Sequence, residues 1–165
     1  MQDARPDPPA ADSPGGVLRE HLAWQLDGGY ARTSLRAAVD GIAPQDWGRV
    51  PGGAAHSVWQ IVRHVEICLT DLLEYTRTPG HVSPDFPEGL WPEETAPPSG
   101  AEIDRSLAAI DAARAAFTDL VRTADLIAPL GHAGGRCVLR QVLIAVDHES
   151  YHVGQITLTR AALGV

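Results

Sequence analysis

Residues 78 to 98, TPGHVSPDFPEGLWPEETAPP, hold six of the chain's 13 prolines in 21 positions. Proline lacks a backbone N–H and fixes φ, so neither a helix interior nor a central strand runs through this stretch. At about 3.3 Å per residue the segment can span more than the ~30 Å of a twenty-residue helix. The two elements it joins are therefore free to run parallel instead of folding back as a hairpin. A structureless connection this long inside a compact domain commonly borders a functional site.

Helical periodicity dominates on both sides of the segment. Upstream, Ser57 and Gln60 form a capping-box pattern that opens a helix through "SVWQIVRHVEICLTDLLEYTR", stopping before Thr78-Pro79. Downstream, Ser99 and Glu102 repeat the pattern and open a helix to about Arg122, with Ile103, Leu107, Ile110, Phe117 and Leu120 as its apolar stripe. A first helix is expected from about Val17 to Val39, with Ser13-Pro14 as its start signal and Gly28-Gly29 weakening its middle. A last helix is expected from about Cys137 to Leu163, with Gly164 as its C-cap. No convincing alternating strand appears. The expected architecture is an all-α four-helix bundle with a long crossover between helices 2 and 3. Residues 1–15, rich in Pro, Asp, Ala and Gly, read as a mobile tail before a single domain over 16–165.

Composition removes several classes of function. A net charge of -8, with no run of cations, argues against binding a nucleic-acid backbone. No stretch approaches 18 apolar residues, and the N-terminus lacks a basic region followed by an apolar one, so neither a membrane span nor a signal peptide is expected. Two cysteines, Cys68 and Cys137, form neither a disulfide scaffold nor a C-x-x-C unit. The expected compartment is the reducing cytoplasm.

The string His148-Glu149-Ser150-Tyr151-His152 fits the H-E-x-x-H pattern of helical zinc peptidases. That chemistry needs a third ligand, generally downstream. The 13 residues after His152 include no His, Asp, Glu or Cys, so the peptidase reading is set aside. On the last helix, His152 falls about 40° from His148, with Ile144, Ala145 and Ile156 within about 80° of it. Both imidazoles therefore lie in the apolar stripe. His64 has the same setting on the second helix, among Ile61, Cys68 and Leu72. Three buried imidazoles without partners would cost a few kcal/mol each, whereas one metal ion held by His64, His148 and His152 removes that cost. Three protein ligands leave positions open, which indicates a reactive site. His21, His56, His81 and His132 fall in loops or near helix starts and read as ordinary surface residues.

"DHESYHVGQITLTRAALG" closely resembles the final helix of the DinB/YfiT-like superfamily, whose signature is His-x-x-x-His-x-Gly-Gln-Ile/Leu, and "SVWQIVRHVEICLTDLL" is similar to its second helix. The resemblance extends over nearly the whole chain from about residue 16. It implies an up-down-down-up bundle, a His64, His148 and His152 metal triad, and close helix packing at Gly154. Zn²⁺ or Ni²⁺ is the implied ion, with Fe²⁺, Mn²⁺ and Co²⁺ as alternatives. Further implications are a homodimer and a low-molecular-weight thiol of the bacillithiol or mycothiol type as co-substrate.

The leading expectation is a metal-dependent thiol S-transferase acting on small electrophiles. A metal-dependent hydrolase and a non-catalytic dimeric metal-binding protein are the alternatives. Glu149 is a candidate general base, but the favoured reading is an exposed helix glutamate. Cys68 reads as a small buried packing residue in preference to a nucleophile or ligand. Tyr75 and Asp71 are placed along the same interior.

Overall fold

The computed structural model of the protein describes residues 13–29 and 31–165. Among the described residues five α-helices form: α1 (Pro14–Leu26), α2 (Leu35–Val39), α3 (Val58–Arg77), α4 (Gly100–Thr123) and α5 (Val138–Leu163). Among the described residues there is no strand, only an isolated bridge between Pro129 and Cys137. The architecture is an all-α helical bundle.

The first expected helix is in fact two. Gly28 and Gly29 take φ of 129° and 58°, values that end α1 and turn the chain, and Ser34 then caps α2 with a bond from the Ala37 amide. α1 also starts earlier than expected, at Pro14, because Ser13 accepts from the Gly16 amide and proline fits the first helical position. The tail expected over residues 1–15 lies outside the described residues for its first twelve positions, while Pro14 and Gly15 belong to α1.

Both capping signals around the crossover act at helix starts. Ser57 and Gln60 exchange side-chain and backbone bonds at the start of α3, and Ser99 accepts from the Glu102 amide at the start of α4. Gly164, with φ of 74°, closes α5.

α3 is buried over most of its circumference, with Val58, Val62, Val65 and Leu69 fully inside, because α4 and α5 pack on two of its sides. Phe117 and Ile110 of α4 and Ile156 of α5 complete the core. Two pairs fix the direction of α3 against α5. His64 meets His148, and Tyr75 meets Arg136 just before α5 begins, so these helices are antiparallel. α4 is likewise antiparallel to α5, since Arg114 meets Glu149 and Leu126, beyond α4, accepts from Leu139.

Ser57 is fully buried and also donates to the Thr95 carbonyl at the far end of the crossover. Replacing Ser57 with alanine removes the cap and this tie together, and should lower unfolding free energy by about 2 kcal/mol in chemical denaturation.

Candidate metal centre

α3 and α5 bring three imidazoles to one point. Nε2 of His148 lies 3.0 Å from Nε2 of His64 and 3.2 Å from Nε2 of His152. The His64 and His152 ring centroids are 4.6 Å apart. His64 and His152 are 6% and 4% exposed, and His148 is half-buried. The interior placement of all three agrees with their positions on the helical wheels.

Two of the rings are held from behind. His64 Nδ1 donates to the Leu90 carbonyl at 2.7 Å, and His152 Nδ1 donates to Gln155 Oε1 at 2.7 Å. Each bond fixes the proton on Nδ1 and turns an Nε2 lone pair toward the cluster. His148 carries a single proton when neutral, so it can satisfy only part of what faces it. Its own Nδ1 is buried without a hydrogen-bond partner. Two imidazole nitrogens each about 2.1 Å from one ion stand about 3.0 Å apart at a right angle and about 3.4 Å apart at the tetrahedral angle. The observed 3.0 and 3.2 Å fit a shared divalent ion.

Cys68, one turn after His64, joins the cluster from the side. Donor atoms of His64, Cys68 and His148 all lie within 4.8 Å of one another, a grouping that fits a divalent metal. Cys68 Sγ is 3.6 Å from His64 Nδ1 and 3.7 Å from His64 Nε2. It therefore faces the two ring nitrogens almost equally instead of meeting the inward lone pair alone. Burial, with Asp71 nearby, pushes its thiol up to about 12.

Burial also holds the imidazoles neutral. His148 is lowered to about 3, by burial first and then by His152 and His64. His152 is lowered to about 4 by burial and His64, against the opposing bond to Gln155. His64 is lowered by burial, with the Leu90 bond opposing.

The crossover contributes more than a backbone carbonyl. Trp91 stacks on His64 with centroids 3.8 Å apart, and His56 stacks on Trp91's ring at the same distance. His56 is thus half-buried against the site wall, contrary to the expected surface position. His81 is also half-buried and pairs with Asp71 at 2.7 Å. His132 and His21 are exposed as expected, although His132 bonds the Tyr75 carbonyl. Leu90 and Trp91 escaped notice in the sequence; the only signal was their place in a proline-rich segment of unusual length.

Glu149 departs most from expectation. It is 1% exposed and turns away from the histidines, accepting from Arg32 at 3.1 Å and Arg114 at 3.3 Å. Its side-chain bonds run to α4 and to the segment after α1, which excludes a general-base role at the cluster. Burial pushes its carboxyl up in spite of the two guanidiniums. Gly154 is exposed, and a Cβ there would meet nothing within 4 Å, so the close packing expected at this glycine does not occur within the chain. Asp71 and Tyr75 line a neighbouring cleft and not the cluster itself. A cavity of about 580 Å³ lies between α1 and α4 and touches none of the three histidines.

A helical bundle with three imidazoles gathered in its interior, two of them held from behind, and with Cys68 beside them is an arrangement that could hold a divalent ion. The sequence profile of the DinB superfamily matches residues 29–156, most of the chain, and the protein belongs to that superfamily. A search of curated protein sequences returned no match. Among the described residues, no helix is long and apolar enough to cross a membrane.

Two measurements follow from these environments. His148 and His152 have folded pKa values below the unfolded value of about 6.5, so the unfolded chain takes up protons first as pH falls. Their contribution to stability is complete above about pH 6.5 and is lost as pH drops toward about 4 for His152 and about 3 for His148. Metal-free protein should lose about 3 kcal/mol between pH 7 and pH 5 in denaturation experiments, and a His148→Gln, His152→Gln double variant should show a flatter profile. Separately, Glu149→Ala removes the buried carboxylate shared by two guanidiniums that are only 9% and 12% exposed. It should lower stability by about 3 kcal/mol, with Glu149→Gln costing less.

Proposed function

We propose that this protein is a cytoplasmic, metal-dependent thiol S-transferase in which His64, His148 and His152 hold the ion. The observation that carries the ligand assignment is the pair of outer bonds, His64 to Leu90 and His152 to Gln155, which fix both tautomers with Nε2 facing inward. Cys68 contacts only the His64 ring and, without an ion, keeps its proton, so the proposal treats it as a packing neighbour of His64.

A divalent ion of the Zn²⁺ or Ni²⁺ type, with Fe²⁺, Mn²⁺ and Co²⁺ as alternatives, supplies Lewis acidity that lowers the pKa of a small thiol. The chain's residues do the rest. The neutral imidazoles of His64 and His152 present Nε2 lone pairs without a proton to displace, and Trp91 covers one side of His64 and keeps water from its face. In the transfer, the thiol sulfur forms a bond to the electrophilic carbon, the leaving group departs with its electron pair, and the thiol proton passes to solvent. The hydrolase alternative uses the same open site with water as the nucleophile, and absence of a thiol requirement would distinguish it. Dimerisation belongs to the same proposal: around Gly154, Tyr151 and Leu158 are exposed on α5, giving an outward apolar face with room for a second helix.

Elemental analysis of protein purified without chelator should find about one divalent ion per chain. His64→Ala and His152→Ala should each lower metal affinity by about a hundredfold, since each removes one of three ligands. Loss of thiol with monochlorobimane should require the metal and fall to background in both variants. Unchanged metal content in both variants would sink the site assignment, and ester or amide turnover without thiol would replace the transferase reading.

A further inference from the structure

Beside the histidine cluster, α3 and the start of α5 border a cleft of about 260 Å³. Asp71, Tyr75 and Ser83 line one part of it, and Arg136, Arg140 and Ile144 another. Ile144 lies one turn before His148 on α5, and Asp71 lies three residues after Cys68 on α3. The cleft therefore adjoins the cluster along both helices.

The charges in this cleft are unlike those of the chain as a whole, whose net charge is -8. Among the described residues, Arg136 and Arg140 have no carboxylate within ion-pair reach, a condition they share with Arg19, Arg122 and Arg160, whereas Arg32, Arg36, Arg49, Arg63, Arg77, Arg105 and Arg114 all have one. Arg136 donates to the Tyr75 hydroxyl and lies 5.2 Å from the centre of its ring. Arg140 donates to Gln141 Oε1 at 3.0 Å. Each of these neutral partners occupies only part of a five-donor guanidinium. The carboxylate in the cleft, Asp71, is already engaged by His81. Two exposed guanidiniums with donors to spare thus face the cleft.

We propose that Arg136 and Arg140 anchor an anionic group, carboxylate or phosphate, at one end of a small substrate whose reacting end lies at the histidine cluster. This deepens the transferase reading and rests on it for the reacting end. Eight residues of α5 separate Arg140 from His148, about 12 Å along the helix. The span selects extended molecules with an acidic group roughly 8–12 Å from the reacting atom, and it disfavours small neutral thiols. Tyr75 acts as a positioning residue, since its ring and hydroxyl hold the Arg136 guanidinium at the cleft.

The test is calorimetric titration of the full-length protein, metal-free and zinc-loaded, with inorganic phosphate, with S-methylglutathione, whose thiol is blocked, and with the diethyl ester of S-methylglutathione. Wild type is expected to bind phosphate and S-methylglutathione with or without zinc. Arg136→Gln and Arg140→Gln should each weaken both by about tenfold, as loss of a charge-assisted bond does, and the diester should bind at least tenfold more weakly than the acid. Circular dichroism of both variants confirms that the helices remain. Failure of both anions to bind, or affinities untouched by either substitution, would overturn the proposal. Because this readout needs neither metal nor turnover, anion binding without thiol consumption would keep the anchoring site and discard the transferase reading.

Discussion

Fixing two histidine tautomers from the outside is the constraint on which the interior depends. Without the bonds to Leu90 and Gln155, His64 and His152 could each rotate or move the proton to Nε2, and an N–H instead of a lone pair would face His148 across the 3.0 and 3.2 Å approaches. With them, lone pairs converge where water is largely excluded. The two outer acceptors come from different sources. Gln155 lies on the same helix three residues after His152, so local helical geometry is enough to place it. Leu90 reaches His64 only because the crossover folds back over α3.

That difference explains what was legible in the sequence. Helix starts at Ser57 and Ser99, the stop before Pro79 and the interior positions of His64, His148 and His152 all follow from local pattern, because capping and the 3.6-residue period act within a few positions. The break at Gly28-Gly29 was visible as a weakness, but whether a weakness becomes a turn depends on packing elsewhere. Trp91 and His56 were not legible. Their stack on His64 is a contact between the crossover, the loop before α3 and α3 itself, and no periodicity encodes it.

Glu149 shows the limit of the helical wheel more sharply. The wheel places it about 100° from His148, correctly off the histidine face. It cannot say that this second face is also covered, with Arg32 from the α1–α2 connection and Arg114 from α4 waiting there. Charged residues are rarely buried without partners, so an exposed position was the natural expectation. Consequently α5 carries two chemistries on adjacent residues. One face gathers neutral donors, and the other closes an ion-paired seam that ties together three parts of the bundle.

The proline-rich crossover is itself part of the site. Leu90 and Trp91 touch His64 from a 21-residue segment whose ends are tied by Thr78 to Glu74 and by Thr95 to Ser57. Ordering such a segment costs conformational entropy, and occupancy of the histidine cluster favours the arrangement in which that cost has already been met. At the proposed centre, affinity for an ion would therefore not be a property of three side chains alone. It includes the free energy of arranging a proline-rich strap, so sequence changes far along that strap can tune the centre without touching a ligand.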